Sequence, residues 1–505
     1  MNFFSRLTNV GKATLIICVV AVIGAILYFS GATKSLGGIS FGGDKPVTVA
    51  VNTYSGFLPI IGENSGVEPN VEAEIYKKYG IKVKFLIMDD FTACRAAFNE
   101  GTVDVAYCTL DALPVEMSSA GTMSDSRYFM LLNFSHGADA LVVDGTINTI
   151  GDLKGKKVAY AEGTASQTLL INALETSGLS MSDIVPVKVE NGTDAATAFK
   201  SGSVSACVTW SPDDEEACQA IKGAKILTST ANANALVTDG FIAKKDWLDK
   251  NQETAVKLVE AFLWANSNAN TNPEAFKKGA EIFAKEFESN VEFAMNSGKK
   301  INYATLADNV NWFGLNSDYN GMTGERIYTK MSRAYTELNL TKNVIPWSKV
   351  AYTGIIEKIL ESGEIDNNQD ANGTAKTEFS APTEKLIEAK AVSQKKVTIN
   401  FPTAGYTLDN QARAIIDREF LDIIRSFASV RIRIVGNTDN TGNYDSNIAL
   451  SQKRAEAVVN YLVKEYNIDK NRFVVVGNGP KKAIADNVQG ANENYRTTDL
   501  ELLNE

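Results

Sequence analysis

Between Pro46 and about Leu360, short runs rich in β-branched residues alternate with helix-like segments, and this alternation constrains the fold more than any other feature. The runs are VTVAVNT (47–53), IKVKFLIM (81–88), VDVAYCT (103–109), KKVAYAE (156–162), VPVKVE (185–190) and SACVTW (205–210). Segments such as EAEIYKKY, ASQTLLINALETSG and ATAFKSG fall between them. Strands buried on both faces and separated by helices predict an α/β domain with largely parallel sheets. More than about 300 residues is too much for one hydrophobic core, so the chain from 46 to 360 is expected to form two lobes.

The N-terminus carries a different signal. After MNFFSRLTNVGK, with Arg6 and Lys12 and no acid, residues 13–29 contain no charged side chain. A run of that length suits a membrane-spanning helix over 13–30, with a cytoplasmic tail at 1–12 and the bulk of the chain outside. The alternative is a cleaved signal, since Ser30-Gly31-Ala32 offers small residues for cleavage and would leave a periplasmic protein. Residues 31–45 are Gly- and Ser-rich and read as a flexible leader. Residues 361–395 are polar with little apolar periodicity and read as a linker spanning on the order of 30 Å. A small α+β domain is predicted over 396–505, in the order strand, helix, strand, helix, strand, strand.

Several classes of function are excluded. A net charge of −10 and the absence of a basic stripe argue against nucleic acid as a partner. The single histidine, His136, stands in FSHGAD with no nucleophile beside it, and no phosphate-binding or zinc-protease motif is present. The chain is not expected to be an enzyme, nor to hold a metal or cofactor. No two cysteines have CxxC spacing; Cys94, Cys108, Cys207 and Cys218 could form disulfides in three pairings or stay as buried thiols.

Where strands end, polar residues gather. Tyr54, Ser55 and Gly56 follow the first strand, Thr109 ends another, and Trp210 ends a third. Gly163, Thr164 and Ser166 open a helix whose free N–H groups suit a polar or anionic ligand group. Thr164 and Ser166 could equally serve as helix caps, and Trp210 as a core aromatic. Asp213 to Glu216 begin a helix beside the same region and would repel an anion unless they face solvent; they read as a solvated helix start, with a cationic or zwitterionic ligand as the alternative.

Four phrases carry a family resemblance: FNEGTVDVAYCTLDALP (98–114), NFSHGADALVV (133–143), DLKGKKVAYAEGTASQTLLINALETSGLSMSDIVPVKV (152–189) and FKSGSVSACVTWSP (199–212). In this order they resemble periplasmic solute-binding proteins of the nitrate/taurine/thiamine-precursor class, the receptors of ABC importers. The resemblance implies a type II-like, two-lobed fold with a small polar solute bound between the lobes. It places Ser135 and Gly137 where the chain crosses from lobe to lobe, and an ABC permease among the expected partners.

The C-terminal stretch GNTDNTGNYDSNIALSQKRAEAVVNYL (436–462) places Arg454 within the apolar stripe of a helix, where an arginine needs a partner. Thr438-Asp439, Gly442, Asn447, Leu450-Ser451 and Arg454-Ala455 resemble the OmpA-like peptidoglycan-binding pattern. That resemblance implies that Asp439 and Arg454, with Asn447 nearby, hold the diaminopimelate of a wall stem peptide. A carboxylate for the ammonium and a planar fork for the carboxylate fit such a zwitterion. A structural Asp439–Arg454 ion pair is the bland alternative. Asn437 replaces a frequent histidine, and Asn494-Tyr495-Arg496 lacks one arginine of the family pattern.

Together these readings predict an envelope receptor tethered to the wall, for import or sensing. A structural tether between inner membrane and wall, its receptor-like part binding a protein or nothing, is the alternative. A motor subunit would need an acid in the membrane helix, and residues 13–29 have none.

Overall fold

The computed structural model describes residues 45–503 apart from 119–122, 124, 234, 366 and 403. The expected membrane anchor, with the tail and leader around it, lies outside the described residues. Among those described, no helix is long and apolar enough to cross a membrane.

All six expected strands form, each within a residue or two of its sequence run. Val47–Val51, Val83–Ile87 and Val105–Thr109 pair in parallel in one sheet. Lys157–Ala161, Val185–Val189 and Ala206–Trp210 do the same in a second. Their alternating helices satisfy the crossover that parallel pairing requires.

The sheets are mixed, however, and not largely parallel. The first has six strands, ordered Ile301–Tyr303, Ser126–Ser135, Thr238–Lys244, Val105–Thr109, Val47–Val51 and Val83–Ile87. The second has five, ordered Val185–Val189, Lys157–Ala161, Ala206–Trp210, Asp139–Val143 and Lys225–Ser229. The chain leaves the first sheet along Ser126–Ser135 and enters the second along Asp139–Val143. It returns from Lys225–Ser229 to Thr238–Lys244. These crossing strands pair antiparallel with their neighbours in each sheet. Two lobes joined by two crossings is the expected architecture; the crossings themselves impose the mixed pairing.

The terminal domain has a four-stranded sheet ordered Ala391–Val397, Thr498–Leu503, Ile432–Asn437 and Phe473–Gly479. Its first strand opens inside the expected linker, and a short helix, Lys481–Ala485, separates the last two strands, expected to be consecutive. The long helix Tyr444–Tyr466 connects two parallel strands and lies on them closely. Two glycines permit that approach. A Cβ on Gly436 would collide with the Ser451 carbonyl, and Gly479 takes φ +54 against Ile448. Ser451 Oγ accepts from the Gly479 N–H at 2.9 Å, fixing helix to strand.

The segment expected to be a flexible linker is strapped down instead. The Asp308 carboxylate accepts from the backbone N–H groups of Asn372, Gly373 and Thr374, and from the Thr374 hydroxyl at 2.6 Å. Asp308 is fully buried and also closes a capping box with Thr305. Gly373 packs on the ring of Phe134, where a side chain would not fit. Further along, Ser380 accepts from Arg431 of the terminal domain, which also rests on Phe379. The terminal domain touches the receptor directly too: Ser429 Oγ donates to the carbonyls of Ala231 and Asn232, on the return crossing. Pro46–Glu505 accordingly forms one compact unit.

Candidate functional site

The crossings bring the candidate solute residues together. Tyr303, Asn133, Asp239 and Thr109 are direct partners across four neighbouring strands. Direct partners point to the same face, so these side chains form a row across the floor of the first lobe. Tyr54 joins the row: its hydroxyl lies beside Ser135 and is pushed well above its ordinary pKa by burial, then by the charges of Asp239 and Asp139. Gly56 is required beneath it, because a side chain there would strike Asn133 and the Tyr54 ring.

Ser135 and Gly137 stand at the crossing itself. Ser135 Oγ donates to Asp139 at 2.6 Å and lies 2.8 Å from the Thr230 hydroxyl on the returning strand. Thr230 Oγ1 accepts from the N–H groups of Gly137 and Asp139, so one hydroxyl ties both crossings. Gly137 has φ +98, a conformation costly to any other residue. Across the crossing, Trp210 is the direct partner of Asp139 and packs against Gly192.

The remaining candidates divide. Thr164 caps its helix, accepting from Ser166 N–H and donating to the Ala161 carbonyl, and Gly163 N–H is taken by Gln167. Ser166 Oγ, in contrast, is fully buried with no partner. Ser55 is committed to structure: its hydroxyl meets Ser297 at 2.5 Å and its carbonyl accepts from Tyr303. Among Asp213 to Glu216, expected as a solvated helix start, Asp214 is instead fully buried, 3.7 Å from Lys300. The four cysteines are free thiols. His136 is half-buried, and burial lowers its pKa.

Three acids that the sequence reading passed over share this region. Asp139 and Asp239 face Tyr54, and Asp111, two residues past Thr109, is buried against Thr168 of the second lobe. Burial lifts Asp111 to about 7, and burial lifts Asp139 to about 6. Burial also holds Asp239 well above the carboxylate range, with the charges of Asp139 and Asp111 adding to the shift. An acid at or just beyond the end of an otherwise apolar strand was the signal available for each.

In the terminal domain, Asp439 and Arg454 do not pair with each other. Asp439, almost fully buried, accepts from Arg496 at 2.6 Å and from the Asn492 N–H. Arg454 donates to the carbonyls of Gly405 and Pro402 and lies 4.9 Å from the centre of the Phe401 ring. Burial lowers its pKa, the Arg496 charge adds to this, and Asp439 opposes it. Asn447 donates to the Thr441 carbonyl and holds the loop that follows Asp439. The arginine in the answer to the stripe is thus held by neutral carbonyls and a ring. Arg496, the arginine kept in the Asn494-Tyr495-Arg496 phrase, is the neighbour that the sequence reading missed.

Two lobes joined at paired crossings, with polar groups from both meeting there, are the architecture of the two-lobed binding-protein fold. Residues 134–276 match the NMT1/THI5 like family model, and residues 400–497 match the OmpA family. The two matches fall on separate parts of the chain, the first within the two-lobed region and the second on the terminal domain. It is 22% identical over 232 residues to a protein of Brucella abortus (strain 2308) named as a binding protein, covering 46% of this chain and 70% of that one. It is 31% identical over 173 residues to a protein of Escherichia coli (strain K12) named as an aliphatic sulfonates-binding protein, covering 34% of this chain and 52% of that one. The crystal structure of a periplasmic sulfonate-binding protein from Methylobacillus flagellatus KT shares the fold, with TM-score 0.50 and 20% identity over 65% of this chain and 98% of that one.

Proposed function

We propose that this chain is an envelope receptor that binds a small polar solute between its lobes and grips peptidoglycan with its terminal domain. The observation that carries the reading is the crossing at Ser135, Asp139 and Thr230, where polar side chains from both lobes meet over the row Tyr303–Asn133–Asp239–Thr109. Solute binding closes such lobes about their crossings. Tyr54, Gly56, Thr109, Ser135, Gly137, Ser166 and Trp210 are the residues placed to line the site, while Ser55, Gly163 and Thr164 shape it through backbone and capping contacts.

At the wall end, Asp439 receives the ammonium and Arg454 the carboxylate of a diaminopimelate-like zwitterion, with Arg496 poised beside them. Arg454 is engaged by neutral acceptors and an aromatic face, so a carboxylate meets no ionic competitor there, whereas an ammonium at Asp439 shares that carboxylate with Arg496. The N-terminal apolar run supports an inner-membrane location in this reading, with an ABC permease as the natural recipient of solute. Co-sedimentation of the full chain with purified peptidoglycan tests the wall half of the proposal. Arg454→Ala is expected to weaken binding at least tenfold, since charge-assisted bidentate contacts are the strong ones. Undiminished binding by both Arg454→Ala and Asp439→Asn would remove the assigned site.

A further inference from the structure

The sulfonates named for the relatives are anions, yet the charge at this crossing has the opposite requirement. Asp139 and Asp239 flank the Tyr54 hydroxyl, and Asp111 closes the same space from the loop after Thr109. Neither oxygen of Asp111 makes a hydrogen bond of normal geometry; only the Thr168 hydroxyl lies close, and it bonds to Tyr335 at 2.8 Å. On the facing helix start, Ser166 Oγ is fully buried and unpartnered. Buried polar groups left without partners mark places where a ligand completes the bonding.

The nearby cations each hold an acid, and one Arg95 donor, Nη2, is left buried and unbonded. Lys300 donates to Glu215 at 2.6 Å and to Ser211 at 3.0 Å, and also faces Asp214. Arg95 is held by Glu116 at 2.5 Å and by the Tyr107 carbonyl. Among the described residues no basic side chain is bonded to Asp139 or Asp239, and the Asp139 carboxylate accepts from Ser135. Like charges gathered out of water must either take up protons or meet a counter-charge. Among the described residues no group of three or more acids, histidines or cysteines has the spacing to hold a metal ion. The aromatic rings of Tyr54 and Trp210 beside these acids suit an organic cation, which gains from a ring face as well as from a carboxylate.

Building on the receptor reading above, we infer that the solute is a small organic cation, an ammonium or amidinium. Asp239 and Asp139 take the charge, Tyr54 and Trp210 flank it, and Asp111 and Ser166 take its remaining N–H or hydroxyl groups. A sulfonate or nitrate entering the same space meets three buried acids, while Lys300 and Arg95 are already ion-paired with Glu215 and Glu116.

The test is thermal unfolding and calorimetric titration of the full chain at pH 8. The cationic probes are propylammonium, putrescine, choline and benzamidine; the anionic probes are propanesulfonate and nitrate. At least one cation should raise the unfolding temperature while both anions leave it unchanged. Asp239→Asn should weaken that cation at least tenfold without lowering the unfolding temperature of the free protein. Asp139→Asn provides the same comparison should the first variant not fold. A shift with propanesulfonate or nitrate would overturn the charge assignment and leave the receptor reading standing. No shift with any probe would overturn both.

Discussion

Replacing Asp111 with asparagine separates the cost of a buried charge from the cost of changing a side chain. Asp111 is fully buried, and burial raises its pKa from 3.8 to about 7. A group whose folded pKa is raised stabilises the fold below its unfolded pKa and withdraws that stability as pH climbs through the folded value. The gap of about 3 units, at ~1.4 kcal/mol each, amounts to on the order of 4 kcal/mol lost between pH 4 and pH 8. Asparagine is neutral throughout and carries only the constant cost of an imperfectly bonded amide, about 1–3 kcal/mol. Asp111→Asn should therefore be equal to or less stable than the parent at pH 4.5, and more stable by ~1–3 kcal/mol at pH 8.5. Thermal unfolding followed by circular dichroism at both pH values reads the difference as a swing of roughly 5–10 °C. Titration of Asp139 occurs in both proteins and largely cancels. A difference that does not change with pH would refute the reasoning, because the Asp111 carboxyl would then have the same pKa folded and unfolded.

Other expectations are simpler to check. Asp308→Ala removes the acceptor for the strap's three backbone N–H groups and one hydroxyl and opens the Thr305 capping box, so limited proteolysis should cut the full chain between 367 and 380 much faster than the parent. Gly436→Ala drives a methyl group into the Ser451 carbonyl and should destabilise the terminal domain by ~1–3 kcal/mol, read as a lower unfolding midpoint in urea. Gly137→Val strains a backbone at φ +98 that ties both crossings through Thr230, so lobe closure by a bound solute should be lost or slowed, measured by small-angle scattering with and without the solute.

The strands that carry the α/β pattern were legible because burial on both faces leaves an unbroken apolar run, as in VTVAV and ACVTW. The crossing strands were not. Ser126–Ser135 and Asp139–Val143 abut at a short bend, so the sequence offers no helical spacer to mark where one sheet stops and the next starts. The strap over Asp308 was invisible for a related reason. Backbone N–H groups bonding to a buried carboxylate need no apolar periodicity, and ANGT looks like any polar turn. At the solute site the strand-end residues could be named one by one, but the acids could not. Asp111, Asp139 and Asp239 become a group only when the strands align, because their meaning lies in one another's charge. The wall motif was legible residue by residue, except that Asp439 turns to Arg496 and leaves Arg454 to carbonyls.

The clamp at Asp308 also sets a mechanical property. If the chain is held at the membrane and at the wall as proposed, tension on the terminal domain reaches the receptor through Asn372, Gly373 and Thr374 and through the Ser429 contacts with Ala231 and Asn232. Bonds that converge on one carboxylate share that load and let go together. Once they yield, residues 363–390, between the helix Gly354–Ser362 and the strand Ala391–Val397, can pay out as slack of roughly 95 Å when fully extended. The strap then works as a fuse: a rigid short link while the envelope keeps its spacing, and a long loose one when the wall pulls away, with the lobes still folded and able to bind.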